Sequence, residues 1–124
     1  MTGPLVLFVQ RGTWADRYQA VTLAITAAAL GDRVVVALFF DALRLWVQGR
    51  FDEGAPPEAA EARVAGLAEM LSEARRELEL EVVACDTAVR LAGLDPEAVR
   101  TSLDRIASLP SLWKEAREGR LVVV

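Results

Sequence analysis

"PLVLFVQRGTWADRYQAVTLAITAAALGDRVVVALFF" (residues 4–40) holds the unit that decides the fold. Its first seven residues are an unbroken apolar run opened by Pro4, the pattern of a strand covered on both faces. "RGT" breaks the run, and Thr13 stands where a helix N-cap belongs, with Asp16 three residues on as a shortened capping box. The spacing predicts a helix to Leu30, closed by Gly31, with Ala20, Leu23, Ala24, Ala27 and Ala28 facing inward. These are mostly small, so the helix can lie close to a sheet. "RVVVALFF" (33–40) is then a second buried strand.

Working outward, the same alternation continues. Asp41 reads as the cap of a short helix ending at Gly49, with Leu43, Trp46 and Val47 on one face. "RFDEGAPPE" (50–58) is a turn-rich loop. Val64, Leu67, Ala68, Leu71, Ala74 and Leu78 then recur at helical steps, which predicts one long amphipathic helix with Glu73, Arg75, Arg76, Glu77 and Glu79 on its solvated face. "LEVVA" (80–84) is a third strand ending at Cys85, followed by a short helix to Ala92 and Gly93. Asp95 and Pro96 open another helix, Ile106 and Ala107 read as a brief strand, "PSLWKEAREG" as a last helix with Trp113 in the core, and "RLVVV" as a final strand.

Strands alternating with helices imply right-handed crossovers between parallel strands, hence an α/β three-layer sandwich with a mainly parallel sheet of about five strands. No repeat or linker divides residues 1–124, which read as a single domain. The apolar fraction of 53% exceeds the usual ~45–50%, which predicts either a sheet buried on both faces or surface hidden between subunits, and a homo-oligomer is expected. No apolar stretch reaches the roughly 20 residues of a membrane span and no export signal is recognisable, so a cytoplasmic location is expected.

Composition also removes whole classes of function. A net charge of −4 opposes nucleic acid as the main partner, because such binding draws on clustered basic residues. Only Lys114 is a lysine, it is followed by Glu115, and neither common nucleotide fingerprint occurs. With one cysteine and no histidine the chain has no internal disulfide and no Cys/His zinc cluster. The sequence calls for no metal and no cofactor.

Ligands in such sheets meet the carboxyl ends of the strands. The candidates there are Gln10, Arg11, Gly12, Thr13 and Trp14 after the first strand, Phe40 and Asp41 after the second, and Cys85, Asp86 and Thr87 after the third, with Arg90 one turn on. If the first and third strands are neighbours, Arg11 and Cys85 edge one crevice. A cysteine at the first turn of a helix faces unpaired N–H groups that favour thiolate over thiol; Arg11 or Arg90 would add to this, whereas Asp86 opposes it. Without histidine a Cys-His hydrolase is excluded. What remains is chemistry in which sulfur itself attacks or is attacked: persulfide transfer, thiol–disulfide exchange or peroxide oxidation. The plainer alternative is a buried cysteine acting as a small hydrophobe.

The order of elements and the stretch "ACDTAVRLAGL" resemble the DsrE/DsrF-like family of small sulfur-relay proteins, which includes the sulfur carriers of thiouridine synthesis. The likeness extends over nearly the whole chain, through "LGDRVVVALFFDA", the run of Cys85, Ala88, Arg90 and Gly93, and "SLPSLWKEAREGRLVVV". It implies a trimer or hexamer, donor and acceptor proteins as partners, and Cys85 as the atom that accepts and passes on sulfane sulfur. Some relatives carry a peroxiredoxin-like label; a lone cysteine, lacking a resolving partner in its own subunit, excludes a two-cysteine peroxidase within one chain. The rival expectations are a non-enzymatic oligomeric module whose Trp14, Trp46 and Arg11 border a ligand-binding or protein-docking crevice, and a one-cysteine redox sensor.

Overall fold

The computed structural model describes residues 3–124. Five strands, β1 (Leu5–Val9), β2 (Val34–Leu38), β3 (Leu80–Cys85), β4 (Arg105–Ala107) and β5 (Arg120–Val123), form one all-parallel sheet in the order β4-β3-β2-β1-β5. Between them run α1 (Trp14–Ala29), α2 (Phe40–Val47), α3 (Pro57–Glu61), α4 (Leu67–Glu77), α5 (Asp86–Leu91), α6 (Pro96–Ser102) and α7 (Leu109–Arg117). The unbroken apolar runs are the central strands: every residue of β2 is buried, as are Leu5, Val6, Leu7 and Val9 of β1. Double-sided burial of this kind is what a parallel sheet covered by helices requires.

The layers follow from which side chains meet. The chain moves stepwise from β1 to β4 and then reverses to reach β5, and a reversal with right-handed crossovers sends the last helix to the opposite face. α1 and α4 pack together on one face. On the other, Arg105 bonds to Glu81 of β3 (3.1 Å) and to Glu115 of α7 (3.0 Å), so the side chains of Glu81, Arg105 and their in-register neighbours point to α7. Burial opposes the Arg105 charge, but the carboxylates of Glu81 and Glu115 outweigh it and raise the guanidinium pKa. The result is the expected α/β three-layer sandwich.

Local signals explain most boundaries. Thr13 caps α1, its Oγ1 accepting from the Asp16 N–H (3.2 Å). Gly31 follows with φ +101°, a conformation that costs glycine least. Asp95 caps α6 in the same way. At the entry to β5 the Gly119 backbone lies against Pro4 so tightly that an added Cβ would fall 1.8 Å from the Pro4 oxygen. Any side chain there would push β5 off β1.

Four expectations change. The first and third strands are not neighbours, since β2 lies between them. The long helix is two, α3 and α4, separated by residues 62–66, where Arg63 takes φ 56°. Its second half begins at Leu67 because Asp52, fifteen residues upstream, accepts from the Leu67 and Ala68 N–H groups. Asp41 does not cap α2; Phe39 holds the N-cap position and Asp41 lies in the first turn. Trp113 is no core residue: it is 51% exposed, while Leu112 and Ala116 carry the buried face of α7.

Candidate functional site

Two separate groups of the sequence candidates stand at the carboxyl edge of the sheet. The first lies over β1 and β2. Arg11, Gly12 and Thr13 form the exposed turn into α1. Gly12 touches Asp41, where a Cβ would sit 3.0 Å from the Asp41 Cβ, and Asp41 pairs with Arg44 (3.3 Å). Together Gly12, Asp41, Arg44, Leu45 and Arg50 line a polar cleft of about 240 Å³. Trp14 stacks on Tyr18 (5.0 Å) and borders an apolar groove with Pro56 and Pro57. Trp46 does not join it: it is buried, edge-on to Phe51 (5.2 Å), with its indole N–H donating to the Ser102 carbonyl (2.8 Å).

The second group lies over β3 and β4. Cys85 is the last residue of β3 and the N-cap of α5, paired with Ala107 of β4 and one register step beyond the Leu38–Ala84 pair of β2 and β3. Phe39 and Ala107 therefore flank it on the α7 side of the sheet. The residue is 4% exposed, and its sulfur makes no capping hydrogen bond to α5. Next to it in the chain and across the pair, Asp86, Ala107 and Ser108 share with Arg100, Asp104 and Arg105 a cleft of about 480 Å³ along β4, which Cys85 itself does not line. Asp86 accepts from the Thr87 hydroxyl (3.3 Å), which in turn accepts from Arg90 (3.4 Å). Thr87 and Arg90 are exposed. Because β2 intervenes, Arg11 belongs to the first group and does not edge a crevice with Cys85.

The turn between β2 and α2 lies between these groups. Phe40 takes φ 45° there, the left-handed region that a residue with a Cβ seldom enters, and its ring is left 45% exposed. Among the described residues no group of three or more His, Cys, Asp or Glu side chains is placed to hold a metal ion.

One residue that shapes the first group escaped the sequence reading. Arg17 is completely buried on α1 and donates from all three guanidinium nitrogens to backbone carbonyls: Nε to Phe51 (2.9 Å), Nη1 to Gly12 and Nη2 to Glu53. It fastens the β1–α1 turn to the loop that covers it. Burial lowers its pKa, and Glu53 and Asp52 offset part of that effect. The signal was available, since Arg17 is in step with Ala20, Val21, Ala24, Ala27 and Ala28 on the buried stripe of α1.

Nearby, the Glu53 carboxylate accepts from Arg50 Nε (2.7 Å) and Nη2 (2.8 Å), and these bonds hold its pKa below the ordinary carboxylate range. A depressed folded-state pKa contributes stability above the unfolded value of ~4.3 that is lost as pH falls through the folded one. Glu53→Gln should therefore lose less stability than the wild type on acidification below ~4.3, read as the shift of the urea midpoint with pH. Equal shifts would show that the pair contributes nothing.

No protein-family model and no curated protein matches this chain. The class that fold and site define is an all-parallel α/β domain with a near-buried thiol at the carboxyl edge of its sheet. Among the described residues no helix is long and apolar enough to cross a membrane.

Proposed function

We propose that this domain is a cytoplasmic sulfur carrier that takes up and hands on sulfane sulfur at Cys85. One observation carries the reading: the only cysteine ends a strand at the carboxyl edge of the sheet and holds the N-cap position of the following helix, next to Asp86 and Ala107 of the β4 cleft. The likeness of "ACDTAVRLAGL" to the cysteine segment of DsrE/DsrF-like carriers supports it. The Cys85 thiolate attacks the outer sulfur of a donor persulfide; a new sulfur–sulfur bond forms, the donor's breaks, and the donor leaves as a thiolate. An acceptor cysteine repeats the exchange on the Cys85 persulfide. The transfer is neutral in electrons, so it needs neither cofactor nor histidine.

At 4% exposure the sulfur has to be uncovered for each exchange. Its cover on one side is a three-residue edge strand, β4, the shortest strand of the sheet. Short strands at an edge are where local opening costs least. A docking partner that displaces Ala107 and Ser108 would reach Cys85 through the cleft those residues already line.

The same burial favours a second reading, in which Cys85 only packs and the domain is a non-enzymatic docking module. Incubation with a persulfide donor followed by intact mass measurement separates the two. A carrier gains one sulfur atom and Cys85→Ser gains none. No gain under conditions that load an established carrier would leave the docking module.

A further inference from the structure

We propose that β5 is the seam of a two-fold dimer, pairing antiparallel with β5 of a second copy to join the two sheets. The inference is independent of Cys85 and rests on how differently the two edges of the sheet are finished. At one edge β4 has three residues, its Arg105 is held by two carboxylates, and Asp104 precedes it. Short length and charge are the devices that keep an edge from pairing. At the other edge β5 carries Leu121, Val122 and Val123 after Arg120, without proline or lysine. Such an edge is a template for another strand.

The free hydrogen-bonding groups can be named. Arg120 N donates to Pro4 O (3.0 Å), Val124 N to Phe8 O (2.8 Å), and Gln10 N to Val124 O (3.2 Å), so the even-numbered residues of β5 turn their backbone groups to β1. Leu121 and Val123 therefore turn theirs outward. An antiparallel partner centred on Val122 sets Leu121 of each copy opposite Val123 of the other, a pair that exchanges two hydrogen bonds, and the symmetry supplies it twice. This self-complementarity is what a two-fold contact demands, and it favours a second copy over an unrelated peptide.

Exposed apolar side chains lie beside the same edge. The register with Val6 and Phe8 puts Leu121 and Val123 on the α7 side of the sheet, and Val123 is 56% exposed. Along α7, Glu115 reaches Arg33 (3.9 Å) and Arg105 (3.0 Å), which fixes the flank that looks toward β2, β3 and β4. At ~100° per residue Trp113 is about 160° from Glu115, with the buried Leu112 and Ala116 between them. Trp113 therefore hangs on the β5 flank, followed one turn back by the exposed Leu109. A two-fold axis normal to the sheet keeps both α7 helices on one face, so these side chains gain cover from the same contact that pairs the strands.

The test is the mass of the full chain in solution by sedimentation or light scattering. Val123→Pro removes an outward N–H while leaving the bonds to β1, and Val123→Lys places a charge on the seam. The expected result is an assembly of two copies, or a multiple of two, at micromolar concentration, from which both variants drop by half or more while keeping the wild-type circular dichroism. A monomeric wild type, or an assembly whose size neither variant changes, overturns the seam. If Val123→Pro unfolds, the folded Val123→Lys decides.

Discussion

Arg17→Met should lower the free energy of unfolding by about 3 kcal/mol, with the slope of the urea transition unchanged. Methionine fills much of the space on the Phe51 ring, which the guanidinium carbon approaches to 5.6 Å, so the loss is not a simple cavity. It comes from the carbonyls of Phe51, Gly12 and Glu53, which lose a charged donor together. Each orphaned acceptor costs roughly 1 kcal/mol or more when water does not reach it. Arg17→Lys keeps the charge but not the planar fork, and one ammonium on a single stem does not span three acceptors set apart in this way. It should recover less than half of the loss. A cost under about 1 kcal/mol for Arg17→Met would mean that water takes over all three carbonyls and that the loop is not fastened by this residue.

The limits of the sequence reading can be traced to particular residues. Several local signals were legible: the apolar run of β2, the Thr13 and Asp95 caps, and the small inward stripe of α1, whereas the capping signal of Asp41 misled because Phe39 takes that position. Strand order was not, because β1, β2 and β3 are buried on both faces and nothing in such runs records which neighbour each one takes. The division of α3 from α4 was also hidden, since Val64 and Leu67 keep the helical step across it. The residue that starts the second helix is Asp52, far upstream. Trp113 was misplaced because a large apolar residue on a helix reads as core unless the flank it hangs from is known, and that depends on α7 covering an edge strand. For Cys85 the position at the strand end was legible. Its burial depends on what flanks it, Ala107 of β4 on one side and the residue after β2 on the other, and so it was not.

Trp46→Ala is expected to cost about 3–5 kcal/mol, the range for emptying a buried aromatic site. Trp46→Phe should cost about 1 kcal/mol, because it keeps most of the packing and loses only the bond from the indole N–H to Ser102. The difference between the two separates packing from pinning, and the pin matters for position. Ser102 ends α6, its carbonyl also accepts from Arg75 (3.4 Å), and Asp104 beyond it binds Arg75 (3.0 Å) and the Val82 N–H (2.7 Å). Trp46 therefore helps to set where β4 begins, and β4 is one wall of the cleft beside Cys85. Trp46 and Arg17 also meet on opposite claims to one ring, Phe51, edge-on at 5.2 Å from the indole and beneath the guanidinium. Losing either loosens Phe51 for the other, so the double variant Arg17→Met with Trp46→Ala should cost at least ~0.5 kcal/mol less than the sum of the single ones. Strict additivity in urea unfolding would show that Phe51 holds its place without them. The two halves of the carboxyl edge, the Gly12–Asp41 cleft and the β4 cleft, would then be built independently of each other.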